Sequence, residues 1–393
     1  MNSRLVTLII VAASLAMILA GCGGDDPPTA TPTQAPSADG AGSGSDFQSE
    51  YDALVAAAQE EGEIVTFICC GVGRAVGKIA PVFEEKFGIT WTNSTGGSEQ
   101  QADKILAERD AGKYTLDVWM GGISTANVRL IPGGVLAPLK PLLFFPEVVD
   151  ESNYYSGKIV WMDPGTQDRI IPYGLNASNA PFSVNTDLVK PGDINSYWDL
   201  LEPEWHGKIV MRDPRSENVG NTMPYYYNHP DLGEEYMRRL LTETGAVITS
   251  DARQAAEWLA AGQYAICMFG CSREVGSAQA DGLPVEAVYS TPLKEGAIVG
   301  VGGSTMYAVD NPPNPNAQKL FINWWLTKEG QYLMQSTDGT NSVRTDIAKD
   351  NVRADRVIRD DVDYGWPESN PDHVRNIGAA LERNRAFLAE IGL

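Results

Sequence analysis

From about residue 46 onward the apolar positions fall into blocks whose spacing switches between helical and extended periods. Leu54, Val55 and Ala58 share one face of a helix predicted over Asp46–Glu61, and Gly62 supplies its stop. Ile64–Ile68, apolar at every position but Thr66, predicts a buried strand. A loop, Cys69-Cys70-Gly71-Val72-Gly73, leads into a helix over Arg74–Phe87, where Ala75, Ile79, Phe83 and Phe87 recur every fourth residue and Gly88 follows. Ile89–Thr92 predicts a second strand and Ser94–Ser98 a second glycine-bearing loop. Ser98 with Gln101 fits a capping box for the next helix, which runs through Ala111. Thr115–Met120 reads as a third strand, and Gly121-Gly122 opens another helix.

Strand, loop and helix repeated in this order imply a parallel α/β sheet. Ligands of such sheets bind beyond the carboxyl ends of the strands, often at helix N-termini. The three loops share that edge. Cys70, Gly71, Arg74, Ser94, Gly96, Gly97, Trp119 and Gly121 therefore become candidate ligand contacts. Each glycine also has a plain reading as turn geometry, and Trp119 one as a core residue.

Arg169–Leu175 predicts an extended crossing segment, after which the pattern restarts. Pro203–His206 leads into a strand over Lys208–Arg212, then Asp213-Pro214-Arg215 and a loop ending in Gly220-Asn221-Thr222. Helices follow over Leu232–Thr244 and Ala252–Ala261, then a strand over Tyr264–Phe269. Val285–Tyr289 and Thr291–Val301 read as a path back to the first half. Gly302-Gly303-Ser304 precedes a strand over Thr305–Val309, and helices follow over Pro315–Leu326 and Glu329–Ser336. A last helix is predicted over Pro371–Ile391, with Val374, Ile377 and Leu381 on one face. This half adds Tyr173, Arg212, Arg215, Asn221, Gly270, Ser272, Arg273 and Gly303 to the candidate contacts.

The N-terminus has another character. Arg4 is followed by an apolar run to Leu19 and then Leu19-Ala20-Gly21-Cys22, the pattern of a secretory signal with small residues before a cut site. The last four residues resemble the bacterial lipobox. That resemblance implies removal of residues 1–21 and lipidation of Cys22, hence a membrane anchor. Asp25–Ser45 is rich in Pro, Thr, Ser, Gly and Ala and lacks large apolar residues, so 22–46 reads as a flexible tether.

A chain of 393 residues suggests about two domains, and 43% apolar with 21% charged residues is ordinary for a globular protein. The formal charge of −21 repels phosphate backbones and argues against nucleic acid as a partner. Four cysteines besides Cys22 (Cys69, Cys70, Cys267 and Cys271) can oxidise in an exported protein, within each loop or across the two halves; a soft-metal thiolate site is the alternative.

Five stretches resemble type II bacterial periplasmic binding proteins of the ferric-ion, polyamine and thiamine group: Leu54–Phe67, Gly112–Met120, Ile171–Ala177, Pro203–Arg215 and Asn316–Met334. The similarity runs from about Asp46 to Ser336. It implies an α/β fold of two lobes joined by hinge-crossing strands, with 47–170 and 290–336 in lobe I, 175–289 in lobe II and 337–393 as a C-terminal helical segment. It also implies an extracytoplasmic, monomeric solute-binding protein without cofactor or enzymatic activity. Such a protein closes on a small-molecule ligand and passes it to the permease subunits of an ABC importer. A sensory lipoprotein that docks a receptor, a metal-binding protein and an envelope enzyme with a Cys70 nucleophile are the alternatives. In ferric-binding relatives adjacent tyrosines follow the last strand of the second lobe. Here that place resembles Phe269-Gly270-Cys271-Ser272, so the pair is missing, and Tyr225-Tyr226-Tyr227 reads better as packing. Arg74, Arg212, Arg215 and Arg273 on cleft loops suit a ligand with a carboxylate or phosphate, although pairing of Arg212 or Arg215 with Asp213 is an equal alternative. Trp119 and Tyr173 could wall the body of that ligand.

Overall fold

A computed structural model describes residues 41–177, 182–190, 192–216, 219, 222–288, 293–352, 357–358 and 364–393. Fourteen strands among these residues form three sheets. The first has the order β2-β1-β3-β12-β4, with β1 at Glu63–Ile68, β2 at Thr90–Ser94, β3 at Val118–Gly121, β12 at Thr305–Ala308 and β4 at Ile171–Pro172. The second has the order β10-β6-β9-β7-β8, with β6 at Phe182–Asn185, β7 at Ile209–Arg212, β8 at Val247–Thr249, β9 at Ile266–Met268 and β10 at Val285–Val288. Between them lies a four-stranded sheet, β13-β5-β11-β14, made of Asn341–Ser342, Gly174–Ala177, Ala297–Gly300 and Tyr364–Gly365. All three sheets lie within Asp46–Leu393, which forms one unit.

The first sheet is mixed, not purely parallel. β1 runs parallel to β2 and β3, but β12 is antiparallel to both β3 and β4. The reason is the two-way traffic through the hinge. The chain leaves lobe I along β4 and β5 and returns along β11 and β12, and β5 and β11 pair antiparallel through Val299 with Ala177. A second correction concerns Val285–Val288. It does not return to the first lobe but pairs antiparallel with β6 over four positions at the edge of the second sheet.

Helix α1 (Ala41–Glu61) and helix α2 (Cys70–Phe87) flank the first sheet. α2 buries Val72, Val76, Ile79, Phe83 and Phe87 and ends at Gly88, whose φ of 67° only glycine adopts without strain. It begins at Cys70, not at Arg74. Gly71 and Gly73 are poor helix formers, but a Cβ at Gly73 would overlap the Ile68 carbonyl and stand 2.6 Å from Thr95 Oγ1, so close packing outweighs propensity. Helix α3 (Ser98–Asp110) follows β2.

In the second lobe, α4 (Met223–Asn228), α5 (Gly233–Glu243), α6 (Ala252–Ala260) and α7 (Ser272–Ala280) surround the sheet. Back in lobe I, α8 (Pro315–Leu326) is almost wholly buried and precedes α9 (Lys328–Asp338). The start of α8 is held by carboxylates from elsewhere. Glu61 accepts from the Asn316 and Ala317 N–H groups, and Asp117 accepts from Asn314 N–H at 2.8 Å. The single helix expected over Pro371–Ile391 is two, α10 (Pro371–Arg375) and α11 (Ile377–Glu390), broken at Asn376. Val374 packs in a lobe I core, whereas Phe387 and Leu388 pack in the core of lobe II. The C-terminus is therefore a further tie between the lobes.

Candidate ligand-binding site

Three loops at the carboxyl ends of β1, β2 and β3 meet. Cys69 N–H donates to Met120 O at 2.9 Å, joining the first loop to β3. A Cβ on Gly121 would stand 2.9 Å from Ser98 Oγ, and Gly122 N–H donates to that same oxygen at 3.4 Å. The capping box expected at Ser98 is not formed. Gly97 is the N-cap and has no side chain with which to cap, and the Ser98 hydroxyl, one residue inside the helix, is turned to the third loop. The turn Gly302-Gly303-Ser304 closes on the same region: Tyr173 OH donates to Gly303 O at 3.3 Å, and Cys69 Sγ lies 3.9 Å from that oxygen. Ser94, Gly96 and Gly97 are exposed there, as is Arg74 on the first turns of α2. α2 likewise starts at an N-cap, Cys69, that makes no side-chain cap bond.

Trp119 and Tyr173 do not form walls. Trp119 is 0% exposed, packs on Phe67 at 4.7 Å and has a buried Nε1 without a partner among the described residues. Tyr173 is 1% exposed and meets Trp325 edge-on at 5.6 Å; burial pushes its hydroxyl pKa well up. Both are core residues beneath the site.

In lobe II the two arginines separate. Arg215 lies in the loop after β7, and its Nε and guanidinium tip each donate to Asp213 at 2.8 Å. That hydrogen bonding holds the Asp213 carboxyl below its usual range, so Arg215 is the internally paired member. Arg212, the last residue of β7, finds no carboxylate among the described residues. Its Nη2 reaches Ser250 O only at 3.5 Å, and its buried Nε has no partner there. Gly270, with φ of 95°, lies beside it: a Cβ there would stand 3.5 Å from Arg212 Nη1. Phe269 before it has φ of 62°, a costly conformation for an aromatic residue and often a mark of a functional loop. Ser272 is the first residue of α7 and half-buried. Asn221 lies outside the described residues, as do the side chains of Cys70 and Arg273 and the surroundings of Gly71.

Cys267 and Cys271 form a disulfide with their Cα atoms 6.2 Å apart, and Cys69 is disulfide-bonded as well. The bond within the second lobe's loop is thus local. Tyr226 and Tyr227 are buried in the lobe II core, the latter donating to Asn384 at 3.0 Å. Burial pushes the pKa of Tyr225 up to about 12. His229 donates through Nε2 to Glu295 O and accepts from Asp231 N–H at Nδ1, a structural role. No group of three His, Cys, Asp or Glu able to hold a metal occurs among the described residues.

The model of a family described as bacterial extracellular solute-binding protein matches residues 78–360. The chain belongs to that family. An uncharacterized protein of Haemophilus influenzae is 23% identical over 334 residues, covering 80% of this chain and 90% of its own. Among solved structures, iron-bound HitA from Pseudomonas aeruginosa superposes with a TM-score of 0.57 at 18% identity, over 84% of this chain and 99% of HitA. AfuA from Actinobacillus pleuropneumoniae, a periplasmic binding protein with fructose-6-phosphate bound, gives 0.58 at 18% identity with the same coverage. These neighbours share the two-lobed periplasmic-binding-protein fold. The solute-binding family and its fold neighbours are binding proteins, not enzymes, and proteins of this type deliver ligand to ABC permeases. The family is extracytoplasmic, and among the described residues no helix is long and apolar enough to cross a membrane.

Proposed function

We propose that this solute-binding protein captures a small molecule carrying a phosphate or carboxylate group and closes on it about the hinge sheet. The observation that carries this reading is Arg212, a half-buried guanidinium at the carboxyl end of β7 that no described carboxylate neutralises. A guanidinium suits a planar anionic group through paired hydrogen bonds. The starts of α2 and α3 add partial positive charge from lobe I, since Cys69 makes no side-chain cap bond and Gly97 has no side chain to make one. AfuA, which holds a sugar phosphate, supports the same ligand class. Ferric ion has less support, since Cys271-Ser272 stands where adjacent tyrosines would be and Cys271 is disulfide-bonded.

Residues 1–40 lie outside the described residues. We propose that Cys22 is lipidated and that Asp25–Gly40 tethers the lobes near a membrane beside the permease; Ala41–Ser45, expected in the tether, instead begin helix α1. Fatty-acid labelling that survives Cys22→Ser would overturn the anchor.

Thermal unfolding against phosphates, sugar phosphates, carboxylates, polyamines, thiamine and ferric salts tests the ligand class. A ligand of the folded state at a hundredfold excess over Kd adds about 2.7 kcal/mol. The expected shift comes with phosphates or carboxylates, disappears in Arg212→Ala and survives in Arg215→Ala. A shift given only by polyamines, thiamine or ferric salts rejects the anionic reading.

A further inference from the structure

Three helices have side-chain caps. Asp251 accepts from Arg253 and Gln254 N–H at the start of α6, Thr327 accepts from Gly330 N–H at α9, and Asn370 accepts from Asp372 N–H at α10. Two helices that start at the ligand edge, one in each lobe, lack such a cap and share another feature. The N-cap of α2 is Cys69 and that of α7 is Cys271; both are disulfide-bonded, both are buried, and neither makes a side-chain cap bond. A disulfide sulfur offers the helix no strong acceptor, so it fixes the turn without occupying the N–H groups that a serine or aspartate cap would use. With Cys267 and Cys271 paired to each other, Cys22 and Cys70 remain as partners for Cys69. Cys70 is adjacent in the chain.

We propose that Cys69 is bridged to Cys70, and that this ring and the Cys267–Cys271 bridge form a redox-sensitive pair of clamps, one per lobe, that keep the starts of α2 and α7 ordered. In the oxidised state each N-cap carbonyl accepts the first helical bond: Gly73 N–H donates to Cys69 O at 3.2 Å and Val275 N–H to Cys271 O at 3.0 Å. The first bridge also touches the Gly303 carbonyl, in the turn that follows hinge strand β11. A dithiol opens each bridge by two exchanges. One reagent sulfur displaces a cysteine thiolate, and the second displaces the reagent from the other cysteine. The protein gains two electrons and two protons, and the dithiol leaves as its own disulfide. That reduction weakens the ligand rests on the anionic reading above; the clamps themselves do not.

Two measurements on the full chain decide it. Free thiols are blocked and the protein is then digested without reductant by trypsin and chymotrypsin. The expected Ile68–Arg74 fragment is unblocked and two hydrogens lighter than its reduced form. Cys69 joined to a fragment carrying Cys22, or a blocked Cys70, overturns the pairing. Amide hydrogen exchange is then compared before and after dithiol treatment. Gly73 and Val275 are expected to exchange about tenfold faster, with Ala255, which donates to Asp251 O in disulfide-free α6, unchanged. The double variant Cys267→Ala, Cys271→Ala, which introduces no capping side chain, should accelerate Val275 and leave Gly73 alone. Unaltered exchange at both amides, or equal acceleration at Ala255, overturns the clamps. Inorganic phosphate serves as the ligand probe. If it binds, an affinity unchanged by reduction overturns the effect on ligand. If it binds neither form, the anionic reading suffers and the exchange result still decides the clamps.

Discussion

Asn323 shows how far a single buried amide can be committed. It is 0% exposed in the middle of α8. Its Oδ1 accepts from Phe144 and Phe145 N–H, at 2.9 and 3.2 Å, and its Nδ2 donates to Leu142 O and Lys319 O. Asn323→Ala leaves two backbone N–H groups and a carbonyl without partners in the core. The expected cost is about 3 kcal/mol, seen as a lower urea midpoint with an unchanged slope. A midpoint equal to wild type would mean that water replaces the amide. Arg212 and Arg215, three positions apart, illustrate the opposite situation. Both have the chemistry to bind an anion, and only the Asp213 contact separates them. Arg215→Ala is expected to leave the melting temperature nearly unchanged, since exposed pairs contribute little.

Among the elements, hinge strand β11 carries an ionisable neighbour. Val301 N–H, just past its end, faces a Glu368 carboxylate oxygen at 3.4 Å, and Gly300 lies against the same carboxyl. Burial pushes the pKa of Glu368 up to about 7. The folded state therefore holds this proton more tightly than the unfolded chain does. The contribution to stability is complete below the ordinary glutamate range and is lost as pH rises through about 7. Asp117, pushed up to about 6 by burial, acts in the same direction at a lower pH. Melting temperatures should therefore decline between pH 5 and pH 7.5, and Glu368→Gln should flatten the upper part of that decline. A profile identical in the variant would show that Glu368 is charged throughout. Helix α11 is the other element with a definite energetic role. Phe387 packs on Tyr227 at 5.5 Å within the lobe II core. Phe387→Ala is expected to destabilise by about 3–5 kcal/mol, read by denaturant unfolding.

For the molecule as a whole, the lobes are joined by β5, β11 and the α10–α11 segment. Each lobe has its own hydrophobic cluster, and the hinge sheet is built from strands of two to four residues. Such a design lets two stable bodies reorient while short segments absorb the change. Because Phe387 and Leu388 of α11 pack in lobe II whereas Val374 and Leu381 pack in a lobe I core, removal of residues after Leu381 should loosen lobe II selectively. Calorimetry is expected to show one transition for the full chain and two for the truncated one. A single lowered transition would mean that the lobes unfold together.

Much of this fold is legible in local spacing. Helical periodicity located α2, α8 and α9 to within a few residues, because buried faces impose their spacing locally. Glycine loops were placed correctly after β1, β2 and β3 at one edge of the first sheet, and the crossing at Arg169–Leu175 led into β4 and β5. What only tertiary structure decided are the matters that depend on distant partners. Val285–Val288 has the same apolar alternation whether it pairs with β6 or returns to lobe I, and only strand pairing chooses. The helical start at Cys70 follows from space beside Ile68 that no propensity records. Trp119 and Tyr173 are amphipathic enough for a wall or a core, and burial assigns them to the core. Among the described residues Arg212 meets no carboxylate, because the fold delivers Asp213 to Arg215 instead. Residue chemistry proposes the candidates; long-range contacts, invisible to local spacing, select among them.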